Sequence, residues 1–323
     1  MNKIILYCLL AIIVVVSSCK NTTRTTSKPT TIRIGYQLGH VPCIIAKQNK
    51  LFEEEFKKDN IKIEIIKFDY GPPEVEAFNA QNLDVGTMGD QPAIVGWSHG
   101  VDFKIVGNSN GGNTKMALLI PFSSKVQSFR ELKNKKIAIA IGSNNQHFLN
   151  ILLKKEGFTL SDIKLINLKF GDCISSLSQG LIDATIVSEP YITLSVYKKE
   201  ARILTYSGGY KYVTLPILSS GNFVKNYPDI LARILKVYRK AAEWGKEHPK
   251  ETTDILLKEE NNLLPREVDS SLINKYTANF GLGEREIKAF EETFKFLKET
   301  NLISTNKNLK MFYDSKFDRV AAQ

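Results

Sequence analysis

Residues 83–92 read LDVGTMGDQP, and residues 182–190 read IDATIVSEP. Each segment has an Asp, then a short apolar run typical of a buried strand, then an acidic residue, and then a Pro that can open a helix. In both segments the acidic residue stands six positions after the Asp. Self-similarity of this kind predicts two half-molecules of similar design, each a small lobe.

The chain around these segments alternates short strands with helices. Between residues 31 and 200, apolar stretches of strand length are followed by helical patterns and by turns rich in Gly, Asn or Pro. Such alternation predicts an α/β fold with a parallel or mixed sheet. The Gly- and Asn-rich stretch 107–113 reads as a loop. From Pro228 onward the pattern is helical, and residues 227–248 place apolar side chains on one helix face.

The composition is that of a globular protein rather than a disordered or fibrous one. The 323 residues are 43% hydrophobic and 24% charged, and this length suits about two lobes. The longest apolar run, Ile4–Val16, is shorter than the roughly 20 residues that span a bilayer, which excludes a polytopic membrane protein. The formal net charge is +10, but the Lys residues are scattered over predicted helix faces and no nucleic-acid motif is present. We therefore expect no nucleic-acid partner.

The first thirty residues resemble the start of a bacterial lipoprotein. The apolar run Ile4–Val16 is typical of a signal peptide, and Val16-Ser17-Ser18-Cys19 resembles a lipobox. The resemblance implies that residues 1–18 are removed and that Cys19 is lipidated. Residues 19–30 are polar and Thr-rich, which predicts a flexible tether to the cell membrane, with the folded part outside the cytoplasm. The alternative is a signal peptide that is cut elsewhere.

The sequence shows no motif for catalysis, a metal or a cofactor. The four His residues have no ligand spacing, and a nucleophile elbow, a P-loop and a dinucleotide-binding Gly motif are all missing. Cys43 and Cys173 are too few for a disulfide framework, and we expect them to be buried small apolar residues. We therefore predict no catalytic residue, no metal site and no cofactor.

Four strand-to-helix turns are the candidate ligand contacts. They are residues 37–42, 89–92, 142–146 and 188–191. In open α/β sheets, ligands bind beyond the carboxyl ends of the strands, where helices begin. A helix N-terminus has unpaired N–H groups and a partial positive charge, so it can hold an anion without Lys or Arg. Ordinary helix capping is the alternative at each turn.

Two acidic residues in these turns have two interpretations. Asp90 and Glu189 either cap their helices or recognise an amine or a ring N–H of a ligand. Most of the aromatic residues near the turns are expected in the core, while one or two of them can wall the apolar part of a small ligand. These aromatic residues are Tyr36, Trp97, Phe148, Phe170 and Tyr191.

At these positions the chain resembles the substrate-binding lipoproteins of ABC importers in the nitrate/sulfonate/taurine group. The resemblance extends over residues 31–200, and the segments that carry it are 32–36, 45–47, 51–55, 83–93, 128–143 and 180–191. It implies a two-lobed periplasmic-binding-protein fold of type 2 topology, with the ligand cleft between the lobes. Lobe I would comprise residues 31–108 and 213–323, and lobe II residues 109–212.

The same resemblance implies a function. A monomeric binding protein, not an enzyme, would capture a small-molecule ligand outside the cytoplasm and deliver it to ABC permease subunits. The turn at 89–92 and the pair Gly142-Ser143 look like those of alkanesulfonate-binding relatives, which favours a sulfonate-type anion, alkanesulfonate or taurine-like. The turns and the resemblance together predict eight ligand-binding residues: Gln37, Gly89, Asp90, Gln91, Ser143, Asn144, Glu189 and Tyr191.

One departure from the family leaves the ligand open. Many relatives have Trp two residues before the Pro of the second-lobe turn, whereas this chain has Ser188. The alternative ligands are a thiamine-pyrimidine-like or other nitrogenous nutrient, or nitrate, and Asp90 and Glu189 keep the nitrogenous ligands in consideration. The alternatives from other classes are an enzyme or a structural surface lipoprotein on the same fold.

Overall fold

The computed structural model describes residues 28–112, 116–259, 282–314 and 316–317. The predicted signal peptide, the lipidation site Cys19 and most of the predicted tether therefore lie outside the described residues. No described helix combines the length and the hydropathy that crossing a membrane requires.

The described chain forms ten strands. They are β1 (Thr31–Tyr36), β2 (Lys62–Lys67), β3 (Val85–Thr87), β4 (Phe103–Gly112), β5 (Met116–Pro121), β6 (Lys136–Ile139), β7 (Lys164–Asn167), β8 (Ala184–Ser188), β9 (Ala201–Tyr206) and β10 (Val213–Ser220).

Eleven α-helices connect these strands or follow them in the described chain. They are α1 (Val41–Gln48), α2 (Leu51–Phe56), α3 (Gly71–Asn79), α4 (Asp90–Ser98), α5 (Asn144–Glu156), α6 (Phe170–Ser178), α7 (Tyr191–Tyr197), α8 (Gly221–Asn226), α9 (Pro228–Glu247), α10 (Pro249–Glu259) and α11 (Glu284–Glu299).

The strands form two sheets of the same design. The first sheet has the order β2-β1-β3-β10-β4 and the second the order β7-β6-β8-β5-β9. In each sheet the first three strands are parallel, and the fourth, β10 or β5, is antiparallel to them. The chain enters each of these antiparallel strands directly after it crosses from the other sheet. Residues 83–92 contain β3 and residues 182–190 contain β8, and these are the middle strands of the two sheets. The structure thus confirms the predicted internal repeat.

We call the first sheet with its helices lobe I and the second sheet with its helices lobe II. The chain crosses between them twice, from β4 to β5 and from β9 to β10. Lobe I therefore contains chain segments from both sides of lobe II. The exact lobe boundaries at 108 and 212 stay a prediction.

The loop predicted for residues 107–113 is wrong over its described part. These residues continue β4 to Gly112, and β4 pairs antiparallel with β10 along its whole length. Asn108 and Ser109 are completely buried, and the Asn108 carboxamide accepts the Leu215 backbone N–H at 3.1 Å. The polar composition suggested a loop, but these side chains find their hydrogen-bond partners inside the fold.

The described helices that follow β10, α8 to α11, pack on lobe I. The apolar face predicted on α9 is buried, and its Leu231, Ile234 and Tyr238 belong to one core cluster with Ile32 and Ile34 of β1. Apolar burial at about 25 cal/mol per Å² is the main favourable term for such packing. The result is a rigid base from which the strand ends of lobe I face lobe II.

Candidate ligand-binding site

A cavity of about 730 Å³, including space open to solvent, lies between the two lobes. From lobe I it is lined by Gln37, Leu38, Gly39, His40, Asp69, Tyr70, Gly71, Gly89, Pro92, Val213 and Leu215. From lobe II it is lined by Met116, Ser143, Asn144, Asn145, Phe170, Ser188, Glu189 and Tyr191. Residues of both lobes therefore face one shared space.

Helices from both lobes begin at this cavity. In lobe I, α1, α3 and α4 start beside it, and in lobe II, α5, α6 and α7 do so. The positive ends of these helix dipoles therefore lie beside the same space. Among the described residues, those that line the cavity include no Lys or Arg. The arrangement is therefore suited to an anion that is held by backbone and neutral polar groups.

The residues at the start of α5 form the floor of the cavity in lobe II. The Ser143 hydroxyl accepts the Asn145 backbone N–H at 3.3 Å and donates to the Ala140 carbonyl at 2.7 Å, so this side chain caps its own helix. Asn145 donates its amide to the Ile186 carbonyl at 2.8 Å. These bonds fix the turn from β6 into α5 against β8.

The Asn144 side chain reaches across from lobe II to lobe I. Its Oδ1 accepts the backbone N–H of Gln91 at 3.0 Å, which caps the first turn of α4 from the other lobe. Gly89 makes this approach possible, because a Cβ on Gly89 would lie 2.6 Å from the Asn144 Oδ1. The amide of Asn144 thus occupies the space that a side chain at position 89 would fill.

The Gln37 side chain is held by a hydrogen bond to the buried carboxyl of Glu74. Its Nε2 donates to the Glu74 Oε2 at 2.8 Å, and the Glu74 Oε1 accepts the Thr87 backbone N–H at 2.8 Å. Burial raises the pKa of the Glu74 carboxyl to about 8, although both hydrogen bonds lower it. Glu74 is completely buried and does not line the cavity itself.

Glu189 lines the cavity and also caps the helix that follows it. Its Oε2 accepts the backbone N–H of Thr193 at 3.1 Å and the Thr193 hydroxyl at 2.8 Å. The carboxylate complements the dipole of α7 in this position. Both interpretations predicted from the sequence therefore remain compatible with its placement.

Asp90 and Gln91 are the two predicted residues that do not line the cavity. Asp90 is completely buried, and its Oδ2 accepts from the Lys211 Nζ at 2.8 Å and from the Thr293 hydroxyl at 2.7 Å. Gln91 donates its side-chain amide to the Gln146 Oε1 at 3.3 Å. The Asp90 carboxylate thus stabilises the junction between α4, α11 and the segment before β10. The ligand contacts predicted for these two residues stay a prediction.

Three aromatic residues supply apolar surface in the cavity. The rings of Phe170 and Tyr191 contact each other with their centroids 6.0 Å apart, and Tyr70 lies on the lobe I side. Ser188 also lines the cavity, and its hydroxyl donates to the Asn145 Oδ1 at 3.3 Å. The side chain at 188 is therefore a polar group of this cavity instead of an aromatic wall.

Comparison with known proteins identifies the family. A family model described as NMT1/THI5 like matches residues 37–252. The chain belongs to the NMT1/THI5-like family. An aliphatic sulfonates-binding protein of Bacillus subtilis is 32% identical over 299 residues, which cover 90% of this chain and 88% of that protein.

Solved structures of other binding proteins share the fold. The alkanesulfonate-binding protein of Xanthomonas axonopodis, solved with MOPS, has a TM-score of 0.79 at 24% identity and covers 86% of this chain and 96% of that one. The periplasmic aliphatic sulphonate binding protein of Escherichia coli has a TM-score of 0.78 at 22% identity and covers 90% of this chain and all of that one. The predicted periplasmic-binding-protein fold is confirmed. All three relatives are named as binding proteins, which confirms the prediction that the chain is a binding protein and not an enzyme.

The thiols of this NMT1/THI5-like chain are not reactive groups. Burial raises the pKa of Cys43 to about 12 and that of Cys173 to about 11, so both stay protonated at neutral pH. Both are free and buried, as predicted. Within the described ranges, no three His, Cys, Asp or Glu residues are grouped so that they could hold a metal ion.

Sequence reasoning missed one side of the cavity. It found the turns that begin α1, α4, α5 and α7, but not Asp69, Tyr70 and Gly71 at the start of α3. The signal was present, since Pro72 and Pro73 stand in the first turn of α3, where a missing N–H costs little. It also missed Val213 and Leu215, because nothing in the local sequence shows that β10 returns to the cleft.

Proposed function

We propose that this protein is the extracytoplasmic solute-binding component of an ABC importer and that it binds a small sulfonate-type anion in the cavity between its lobes. The observation that carries the proposal is the convergence of helix N-termini from both lobes on a cavity whose described lining includes no Lys or Arg. A sulfonate is a permanent anion with three acceptor oxygens, so N–H donors arranged around it can bind every oxygen. The relatives named for aliphatic sulfonates agree with this ligand class.

The proposed ligand contacts come from both lobes. Gln37 and Gly89 would contact the anion from lobe I, and Ser143 and Asn144 from lobe II. Tyr191, with Phe170, would contact the apolar part of the ligand. A ligand held from both sides favours the closed arrangement of the lobes, because only that arrangement makes all the contacts.

Delivery would take place at the membrane. We expect the closed, loaded monomer to dock on the permease subunits and to be kept near them by a lipid on Cys19. This anchor is a proposal from the sequence. A Cys19→Ala variant is expected to lose lipid labelling, and normal labelling of that variant would contradict the anchor.

A thermal-shift and calorimetric screen tests the ligand class. The protein without its lipid (residues 20–323) is mixed with ethanesulfonate, taurine, nitrate, sulfate and an aminopyrimidine. A ligand at about 100 times its Kd adds about 2.7 kcal/mol to the free energy of unfolding, which is readily visible as a rise in Tm. We expect ethanesulfonate or taurine to produce this rise. A response to nitrate or sulfate alone, or to none of the five, would contradict the sulfonate proposal.

One observation favours a second ligand class. The Glu189 carboxylate lines the cavity, and a carboxylate attracts an ammonium group or a ring N–H. A nitrogenous nutrient would therefore keep the importer role and change the ligand. A rise in Tm with the aminopyrimidine but not with ethanesulfonate would favour this alternative.

A variant pair tests the location of the site. Ser143→Phe places a large side chain in the cavity and is expected to abolish binding of ethanesulfonate, as measured by calorimetry. Ser220→Phe is the matched control, because Ser220 caps α8 through the same kind of hydroxyl contact and does not line the cavity. Binding retained by Ser143→Phe, or lost equally in both folded variants, would contradict the assignment.

A further inference from the structure

Glu74 is a buried carboxyl that contacts a cavity residue without lining the cavity. Its side chain lies between Gly35 of β1 and Gly86 of β3, and a Cβ on either Gly would come within 2.8 Å or 2.5 Å of the Glu74 Oε1. Both strands thus carry Gly where the carboxyl needs room. The apolar side chains of Phe68, Phe78 and Leu83 also lie beside these two Gly residues.

The two oxygens of Glu74 have different partners. Oε1 accepts the Thr87 backbone N–H, so it acts as an acceptor in both protonation states. Oε2 accepts from the Gln37 Nε2 at 2.8 Å in the structure, which is the arrangement of an ionised carboxyl. In the neutral form this oxygen carries the proton, and the Gln37 amide, whose two ends have the same shape, turns over to accept it. A neutral carboxyl can donate through this oxygen, whereas an ionised one can only accept.

We propose that Glu74 is a positioning residue that determines ligand specificity, because its protonation state selects which end of the Gln37 amide faces the cavity. An ionised Glu74 accepts from the Gln37 Nε2 and leaves the Oε1 acceptor for the ligand, which disfavours an anion. A neutral Glu74 donates its Oε2–H to the Gln37 Oε1, so the NH₂ group turns to the cavity and donates to an anion. The inference rests on the proposed function, since it concerns the same site.

The neutral form is the one expected at pH 7. Burial raises the pKa of Glu74 to about 8. The titratable groups that face Glu74 from α1 and α9 are Cys43 and Tyr238, and burial raises the pKa of both so that they stay neutral between pH 6 and pH 9. The titratable groups that line the cavity are His40, Asp69, Tyr70, Glu189 and Tyr191. A substitution at Glu74 separates the effect of its titration on ligand binding from the effect of the cavity groups.

Calorimetric titration with ethanesulfonate between pH 6 and pH 9 tests the proposal. The charge of this probe is constant over the range. The wild-type Kd is expected to rise about tenfold by pH 9, one unit above the pKa of Glu74. Glu74→Gln mimics the neutral carboxyl, since its amide accepts from Thr87 and donates to Gln37, and its Kd is expected to stay constant. Gln37→Leu removes the amide and is expected to bind more weakly at every pH without the tenfold change.

Proton uptake gives a second measurement that does not depend on the Glu74 variant folding. At pH 8.5 the wild-type protein is expected to take up protons on binding ethanesulfonate, as measured in buffers of different ionisation enthalpy, and Gln37→Leu is not. A wild-type Kd independent of pH, or the same rise in Glu74→Gln, would overturn the inference while leaving the binding function intact. Absence of ethanesulfonate binding by the wild-type protein at every pH would instead overturn the proposed function and this inference with it.

Discussion

At the scale of single residues, Gly89 and Asn144 show how two lobes come into contact. The Asn144 carboxamide caps α4 across the cleft, and it fits because position 89 has no side chain. The sequence marked both residues as candidate contacts, because each stands at a helix start. It did not show that they contact each other, since the two turns belong to different lobes and are brought together only by the complete fold.

The Gly89→Ala variant tests this contact. Its Cβ would lie 2.6 Å from the Asn144 Oδ1, so the amide must move and release the Gln91 N–H. We expect the closed form to become less populated and the affinity for the ligand to fall about tenfold, the effect of about 1.4 kcal/mol. Calorimetry measures the affinity, and small-angle scattering measures closure. Gly171→Ala is the control, because a Cβ there meets only the Tyr191 ring at 4.0 Å. Equal affinities of the two variants would contradict the prediction.

The raised pKa of Glu74 predicts that the free energy of unfolding depends on pH even when no ligand is bound. Its pKa is raised to about 8 in the folded protein, and it is near 4.5 in the unfolded chain. The folded state therefore holds an extra proton between these values, and the contribution of the neutral carboxyl to stability falls as the pH rises through this window. The loss is at most about 1.4 kcal/mol per pH unit. Urea unfolding is expected to show that Glu74→Gln gains stability relative to wild type from pH 5 to pH 8. Parallel pH profiles of the two proteins would contradict this.

At the scale of secondary-structure elements, the sequence predicted the type and order of the helices and strands better than it predicted which of them contact each other. The α/β alternation is visible because strand and helix periods differ, and the burial of one α9 face follows from its 3.6-residue pattern. The predicted strand is shorter than β4, because Asn108 and Ser109 are typical loop residues and only their pairing with β10 makes them part of a strand. Asp90 was read as a cap or a ligand contact, but its partners Lys211 and Thr293 come from distant segments that no local pattern connects.

The buried ion pair between Asp90 and Lys211 joins α4 to the segment between β9 and β10. The two atoms are 2.8 Å apart, and both side chains are almost completely inaccessible to solvent. Lys211→Met leaves the carboxylate buried without its cation, and such losses cost about 3–5 kcal/mol. We expect urea unfolding to show this cost and Asp90→Asn/Lys211→Met to recover part of it. Lys133→Met is the control, since its pair with Asp162 lies at the surface. A loss no larger than that of the control would show that the pair does not stabilise this junction.

At the scale of the whole molecule, the sequence predicted several turns that line the cleft, but it did not predict how the two lobes meet there. Six of the eight predicted contact residues line one cavity, because strand ends and helix starts of an open sheet lie on one side of each lobe. The sequence could not show the separation of the lobes in the closed form or the cross-cleft pairs. Both depend on how the two lobes meet, and the residues that contact each other there, such as Asn144 and Gln91, are polar residues with no local pattern that pairs them.

An ion pair at the edge of the cleft is expected to add to closure. Asp69 precedes α3 in lobe I and Lys169 precedes α6 in lobe II, with their charged atoms 3.0 Å apart. Both side chains are more than half exposed, so the pair is weak, but it forms only when the lobes are together. Lys169→Glu places two like charges there, and we expect the ligand Kd to rise about two- to fivefold at low salt and less at high salt, where the charges are screened. Asp69→Lys/Lys169→Glu restores opposite charges and is expected to return the Kd toward the wild-type value, since the pair is reversed but not lost. Calorimetry at two salt concentrations measures both effects. A Kd that is unchanged in Lys169→Glu, or equally raised in the double variant, would show that this pair has no part in holding the lobes together.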